Sequence, residues 1–236
     1  MARCFHFFCF IFVLFTLHLQ ADPLYLRNHL KRAEQGDYIV TACDKNFTLM
    51  LVTEVTPKYI GISEITIPEN RVALRQHSWR EWLAQKAPHH TSWITYKVDP
   101  SSGNIQEMYS RTRQCYLQVG QDSTMMTTLL NLPFVVVPDK ERKKRGPTPN
   151  PSGSAYWQPR MIIDGQNISG VAFTPFKTRW PQDKSELSGK QILIYLPSDH
   201  TAYPAYFPFW MQVSGNVTKA QVRVVDSGKR LVTSHT

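Results

Sequence analysis

The 236-residue chain carries 27 Lys and Arg against 18 Asp and Glu, a formal charge of +9, with 42% apolar residues and four cysteines. The excess favours acidic partners, anionic surfaces or polyanions, but outside one block the basic residues are scattered, as at Arg71, Arg75, Arg80, Arg111, Arg113 and Arg179. After residue 21 no apolar run approaches the roughly 20 residues of a spanning helix, which excludes a helical membrane span beyond a leader.

The chain opens MARCFHFFCFIFVLFTLHLQAD. Arg3 is a minimal basic start, residues 4–17 form an apolar core, and Ala21 is the small residue before Asp22, the pattern of a cleaved secretory signal peptide over residues 1–21. Its loss removes Cys4, Cys9 and Arg3, leaving Cys43, Cys115 and a charge of +8. In an oxidising compartment Cys43 and Cys115 are the natural disulfide pair, closing a loop of about 70 residues for about 4 kcal/mol in the chain-entropy model; two free thiols are the alternative.

A short helix is expected over residues 23–34, ended by Gly36. Strands follow at DYIVTA (37–42), FTLMLVTEV (47–55) and KYIGISEITI (58–67), rich in β-branched and aromatic residues. Ser78 with Glu81 three positions later is a capping box, with Trp79, Trp82 and Leu83 on one helical face and Pro88 beyond. SWITYKVD and NIQEMYS flank a turn at residues 100–103, RQCYLQV extends that hairpin, STMMTTLLNL is a second helix candidate, and FVVV between Pro133 and Pro138 closes the first half.

DKERKKRGPTPNPSGS (139–154) then combines a basic run with Pro, Gly and Ser, the composition of a flexible, exposed connector. Beyond it RMIID and QNISGVAF meet at Asp164-Gly165, a hairpin signal. QILIYL (191–196) reads as a buried strand. FWMQVS, VTKAQVRVVD and KRLVTS form a meander turning at Gly215-Asn216 and Ser227-Gly228, with Ala220, Val222 and Val224 facing one way. The fold class is therefore mainly β: a curved antiparallel sheet, half-barrel or sandwich with two or three short helices. Residues 22–236 read as one domain with a loop at 139–154, or as two subdomains, 22–138 and 155–236.

Chemistry is sparse. Neither GxGxxG nor GxxxxGK[ST] occurs, nor HExxH or GxSxG, so no cofactor is expected and the reading leans against an enzyme. His77, His89 and His90 lack a nearby acidic residue, adjacent histidines point apart, and no metal site is assigned. A hydrolase would have to bring Cys43 or Asp44 to one of those histidines. The ligand-binding candidates are Tyr203, Tyr206, Phe207 and Trp210 in SDHTAYPAYFPFWMQVSG, where Pro204 and Pro208 keep rings in an irregular segment suited to apolar ligands, sugars or a partner protein. Nucleic acid is not an expected partner, because the basic run lacks interleaved aromatics.

Sequons at Asn46, Asn167 and Asn216, with Arg142 to Arg145 as a dibasic run, describe a further alternative: a secreted glycoprotein processed after Arg145. HSWREWLAQKAPHHTSWITYKVD, YWQPRMIIDGQ, FKTRWPQDKSELSGKQILIYLP and YFPFWMQVSGNVTKAQVRVVDSGK together resemble a family of uncharacterised exported proteins of chlamydial-type intracellular Gram-negative bacteria. The resemblance implies periplasm, outer envelope or secretion toward a host cell, and carries no assigned activity. An exported, non-enzymatic binding or envelope-associated protein is thus the leading reading. Its partner is an envelope component, a host protein or an apolar ligand.

Overall fold

A computed structural model describes residues 22–72, 78–120, 124–145, 155–201, 203, 206–215 and 219–231. The leader expected over residues 1–21, together with His77, Pro204 and Asn216, lies outside the described residues. In chain order the elements are α1 (Leu26–Leu30), β1 (Tyr38–Cys43), β2 (Asn46–Val55), β3 (Ile60–Pro68), α2 (Trp79–Ala84), β4 (Ser92–Val98), β5 (Ile105–Ser110), β6 (Cys115–Tyr116) and α3 (Thr124–Asn131). There follow β7 (Val135–Val136), β8 (Met161–Ile163), β9 (Gln166–Ile168), β10 (Phe173–Arg179), β11 (Gln191–Pro197), β12 (Trp210–Ser214) and β13 (Lys219–Gly228).

Eleven strands make one antiparallel sheet in the order β6-β5-β4-β3-β2-β1-β13-β12-β11-β10-β7, curved but not closed into a barrel. The expected mainly β class is what the structure has. Two pairings set its shape. Tyr38 opposite Gly228 and Val40 opposite Asp226 join β1 to β13, so strands from both sides of the basic stretch share the sheet. β7 pairs with β10 through Lys177 opposite Val135, so FVVV caps the far edge instead of closing the first half. β10 itself is hidden in the sequence by Pro175. Proline is tolerated there because β7 covers only Phe176 and Lys177, and Pro175 offers its carbonyl to Val137 N–H at 2.9 Å.

Alternation along the strands sends side chains to two faces. The inner face unites Ile39, Met50, Ile62, Tyr96, Ile194 and Met211 with Leu26 and Leu30 of α1 and Leu129 and Leu130 of α3. Covering each such aliphatic side chain stabilises the fold by about 1.5–3 kcal/mol. On the outer face α2 packs Trp79 and Trp82 onto Val40, Leu49 and Ile65. Its predicted capping box is present: Ser78 Oγ accepts from Glu81 N at 3.2 Å, and Ser78 N donates to Glu81 Oε2 at 2.7 Å. The other outer patch gathers Met161, Phe173, Tyr195, Phe209 and Trp210 beneath the β8–β9 hairpin, turned at Asp164-Gly165 as the sequence predicts.

Three local expectations are corrected. Ser227-Gly228 is not a turn, because β13 continues through Gly228 against β1. A register shift between Val40/Asp226 and Thr41/Val224 inserts an extra residue, so Val222 packs on the inner core while Val224 joins the outer one. Cys43 and Cys115 are both free. They lie on β1 and β6, five strand steps apart in the sheet, and at about 4.8 Å per step that is far beyond the reach of a disulfide.

Candidate functional site

The aromatic segment does not act as one patch. Trp210 and Phe209 face the outer cluster, where Trp210 stands edge-on to Trp157 at 5.2 Å and to Tyr195 at 5.4 Å. Phe207 is half-buried against the inner core. Tyr206, and Tyr203 which also packs against the outer cluster, line a cavity of about 190 Å³ with His29, Asp37 and His200, and Arg32, Glu34, Thr201 and Lys229 complete its wall.

Local structure explains each placement. His29 and Arg32 follow one another on and just beyond α1, and Arg32 N–H donates to His29 O at 3.0 Å. A tight turn carries the chain from there into β1. Gly36 takes φ +88°, and a Cβ at this position would come within 2.8 Å of Arg230 Cα, so only glycine fits. Glu34 N–H donates to Asp37 Oδ2 at 2.9 Å and Asp37 N–H to Glu34 O at 3.0 Å, which fixes the Asp37 carboxylate at 2% exposure. His200 sits in the bend between Asp199 and Thr201, whose hydroxyl donates to Asp199 Oδ1 at 2.7 Å. The His29 and His200 rings meet edge-on, centroids 4.6 Å apart.

One feature distinguishes this cavity from the rest of the molecule. Among the described residues, four buried side-chain atoms have no hydrogen-bond partner: His29 Nδ1, His200 Nδ1, Asp37 Oδ1 and Tyr206 Oη. All four belong to residues lining this one cavity. An unpaired buried polar atom costs about 1–3 kcal/mol, so four around one cavity mark hydrogen-bonding capacity that the described residues themselves do not use. Electrostatics agree with a desolvated pocket. Burial, then His200 and Arg32, lowers the His29 pKa to about 4, and burial, then Arg32, lowers that of His200; both imidazoles are neutral near pH 7. Burial raises Asp37 above the ordinary carboxylate range and Tyr206 well above the ordinary phenol.

The other candidates are not brought together. Cys43 Sγ meets Asp44 Oδ2 at 4.0 Å, and among the described residues it hydrogen-bonds to no histidine. His90 Nδ1 is within 2.8 Å of Ala87 O, with its ring edge-on to Trp93. No group of three metal-ligating side chains occurs among the described residues. A larger cavity of about 550 Å³ lies by Tyr156, Trp157, Arg160 and Asn167, but no unpartnered buried polar atom faces it among the described residues. Beside it the basic run is engaged: Lys144 pairs with Tyr156, Trp157 N–H donates to Lys143 O at 2.8 Å, and the Lys143 ammonium lies 4.7 Å from the Trp157 ring centre.

The sequence profile of the CT021 protein matches residues 48–169, just over half of the chain. The chain belongs to the CT021 protein family. Among solved structures, the hypothetical protein CT021 from Chlamydia trachomatis superposes with a TM-score of 0.66 at 13% identity, covering 90% of this chain and 96% of that one. This establishes a common fold for the CT021-family chain. LprF from Mycobacterium bovis gives a TM-score of 0.35 at 12% identity over 91% of this chain and 99% of that one, too low to carry an argument. No curated protein matches the sequence.

Sequence reasoning singled out Tyr203 and Tyr206 but missed His29, Asp37 and His200. The available signals were slight: His200 lies inside the aromatic segment, and Asp37 is an acid at the mouth of an apolar strand.

Proposed function

We propose that this CT021-family chain is an exported, non-enzymatic binding protein whose ligand seat is the cavity of His29, Asp37, His200, Tyr203 and Tyr206. The convergence of four partnerless polar atoms on one cavity carries this reading. Sites built to hydrogen-bond a ligand leave their own groups unpaired without it. The lining favours a polar ligand over the apolar one that the aromatic segment suggests. It favours binding over hydrolysis because, among the described residues, no cysteine or serine lines the cavity and the Thr201 hydroxyl is committed to Asp199. Export rests on the leader pattern in residues 1–21. The test is a thermal-shift screen of small polar solutes on wild type and on Tyr206→Phe and His29→Ala. Stabilisation of wild type that both variants lose supports the seat; equal stabilisation of all three refutes it.

A second reading rests on the inner face, an apolar surface covered by two short helices, α1 and α3. An acyl chain would reach that surface only with one helix displaced. Lipid co-purifying with the protein and protecting Leu30→Trp fluorescence from quenching would favour it. The mass of native material decides the processed-glycoprotein alternative: an intact unglycosylated chain beginning near Asp22 excludes it.

A further inference from the structure

The proposed seat carries two opposite charges, and its chemistry selects a ligand class. Asp37 spends Oδ2 on the Glu34 amide and leaves Oδ1, buried and acceptor-only while ionised, without a donor. Arg32 lines the same cavity, where its guanidinium acts on both His29 and His200, and among the described residues it has no carboxylate within ion-pair distance. The remaining charges on the wall, Lys229 and Glu34, face one another at 3.6 Å and largely cancel. A simple anion would satisfy Arg32 but crowd Asp37, and a simple cation would do the reverse. A neutral polyol would match the imidazoles and the phenol yet leave both charges uncompensated. At about 30 Å³ per water, 190 Å³ holds roughly six waters, the room for a small solute.

Resting on the ligand-seat reading, we propose that the cavity takes a small zwitterion, with its ammonium on Asp37 Oδ1 and its oxyanion toward Arg32, while His29, His200 and Tyr206 hydrogen-bond the atoms between. Two sources supply that chemistry: a free α-amino acid, or a phosphoethanolamine group such as an envelope lipid presents. Charge-assisted hydrogen bonds to both charges would be stronger than neutral ones, and Asp37 rejects a ligand lacking an ammonium because its buried oxygen is then left unpaired.

The experiment is isothermal titration of the purified protein at pH 7 with L-alanine, L-serine and O-phosphoethanolamine, against propionate and ethylamine as single-charge analogues. At least one zwitterion is expected to saturate, and both analogues to bind at least tenfold more weakly. The preferred zwitterion names the source. Asp37→Asn is expected to weaken the zwitterion about tenfold without weakening propionate, whose repulsion it relieves; Arg32→Gln, at an exposed position that does not threaten folding, weakens the zwitterion similarly without weakening ethylamine. Propionate or ethylamine binding as tightly as every zwitterion overturns the proposal. Glycerol or inorganic phosphate binding alone, and losing it in Tyr206→Phe, overturns the zwitterion while preserving the seat. Absence of binding by all these solutes overturns both.

Discussion

Asp37 and Tyr38 are neighbours at the start of β1, yet they serve two polar clusters of opposite character. Tyr38 projects to the outer face, where its hydroxyl donates to Asp164 Oδ1 at 2.8 Å and lies 3.3 Å from Asp226 Oδ2. Asp226 Oδ1 accepts from Gly165 N at 3.0 Å and Ser227 N at 2.9 Å. Arg80 of α2 reaches over to Asp164 at 2.8 Å and to the Arg230 carbonyl at 3.2 Å. This clasp ties α2, the β8–β9 hairpin, β1 and β13 together, and none of its buried polar atoms is left unpartnered. On the other side, Asp37 faces a cavity in which four polar atoms have none. Burial of polar groups therefore does not by itself mark a site; a satisfied network is architecture, and an unsatisfied one is a candidate for binding.

Substitutions should separate the two clusters by sign. The largest effect belongs to the clasp: Asp226→Ala strips the acceptor from two backbone amides and should lower the unfolding free energy by about 3 kcal/mol in chemical denaturation. Arg80→Ala removes a half-exposed ion pair and should cost about 1 kcal/mol by the same method. The cavity should appear in the pH dependence. The folded His29 pKa of about 4 lies below the ordinary 6.5, so between these values the unfolded chain binds a proton that the folded one does not, and stability falls as pH falls. Urea midpoints from pH 7 to 4.5 should therefore decline more steeply in wild type than in His29→Gln, and parallel curves would remove His29 from the buried cluster.

Legibility from sequence followed the range of the interaction. The α2 capping box, the Asp164-Gly165 hairpin and the strands β1 to β3, rich in β-branched and aromatic residues, depend on residues a few positions apart, and all are present. The β1–β13 and β7–β10 pairings join distant segments that carry no mutual signal in periodicity, and Pro175 masked β10 because its harmlessness depends on how short β7 is. The cavity shares this difficulty. His29, Asp37 and His200 come from a helix, a turn and a late loop, and only the closure of β1 onto β13 brings those parts together. Tyr206 was visible as one ring in an aromatic cluster, but the sequence could not show that its hydroxyl would be buried without a partner while Trp210 turned to the opposite face.

The central claim is that the cavity's polar atoms serve a ligand and not the fold, and Tyr206→Phe tests it most directly. Tyr206 is 7% exposed and its hydroxyl has no partner among the described residues, so removing that oxygen should leave unfolding free energy unchanged or raise it by up to about 1 kcal/mol, as deletion of an unpaired buried group does. Equilibrium urea denaturation of wild type and Tyr206→Phe at pH 7 measures this. A loss of about 1 kcal/mol or more would show that the hydroxyl is bonded within the folded protein, and would contradict the distinction between clasp and cavity.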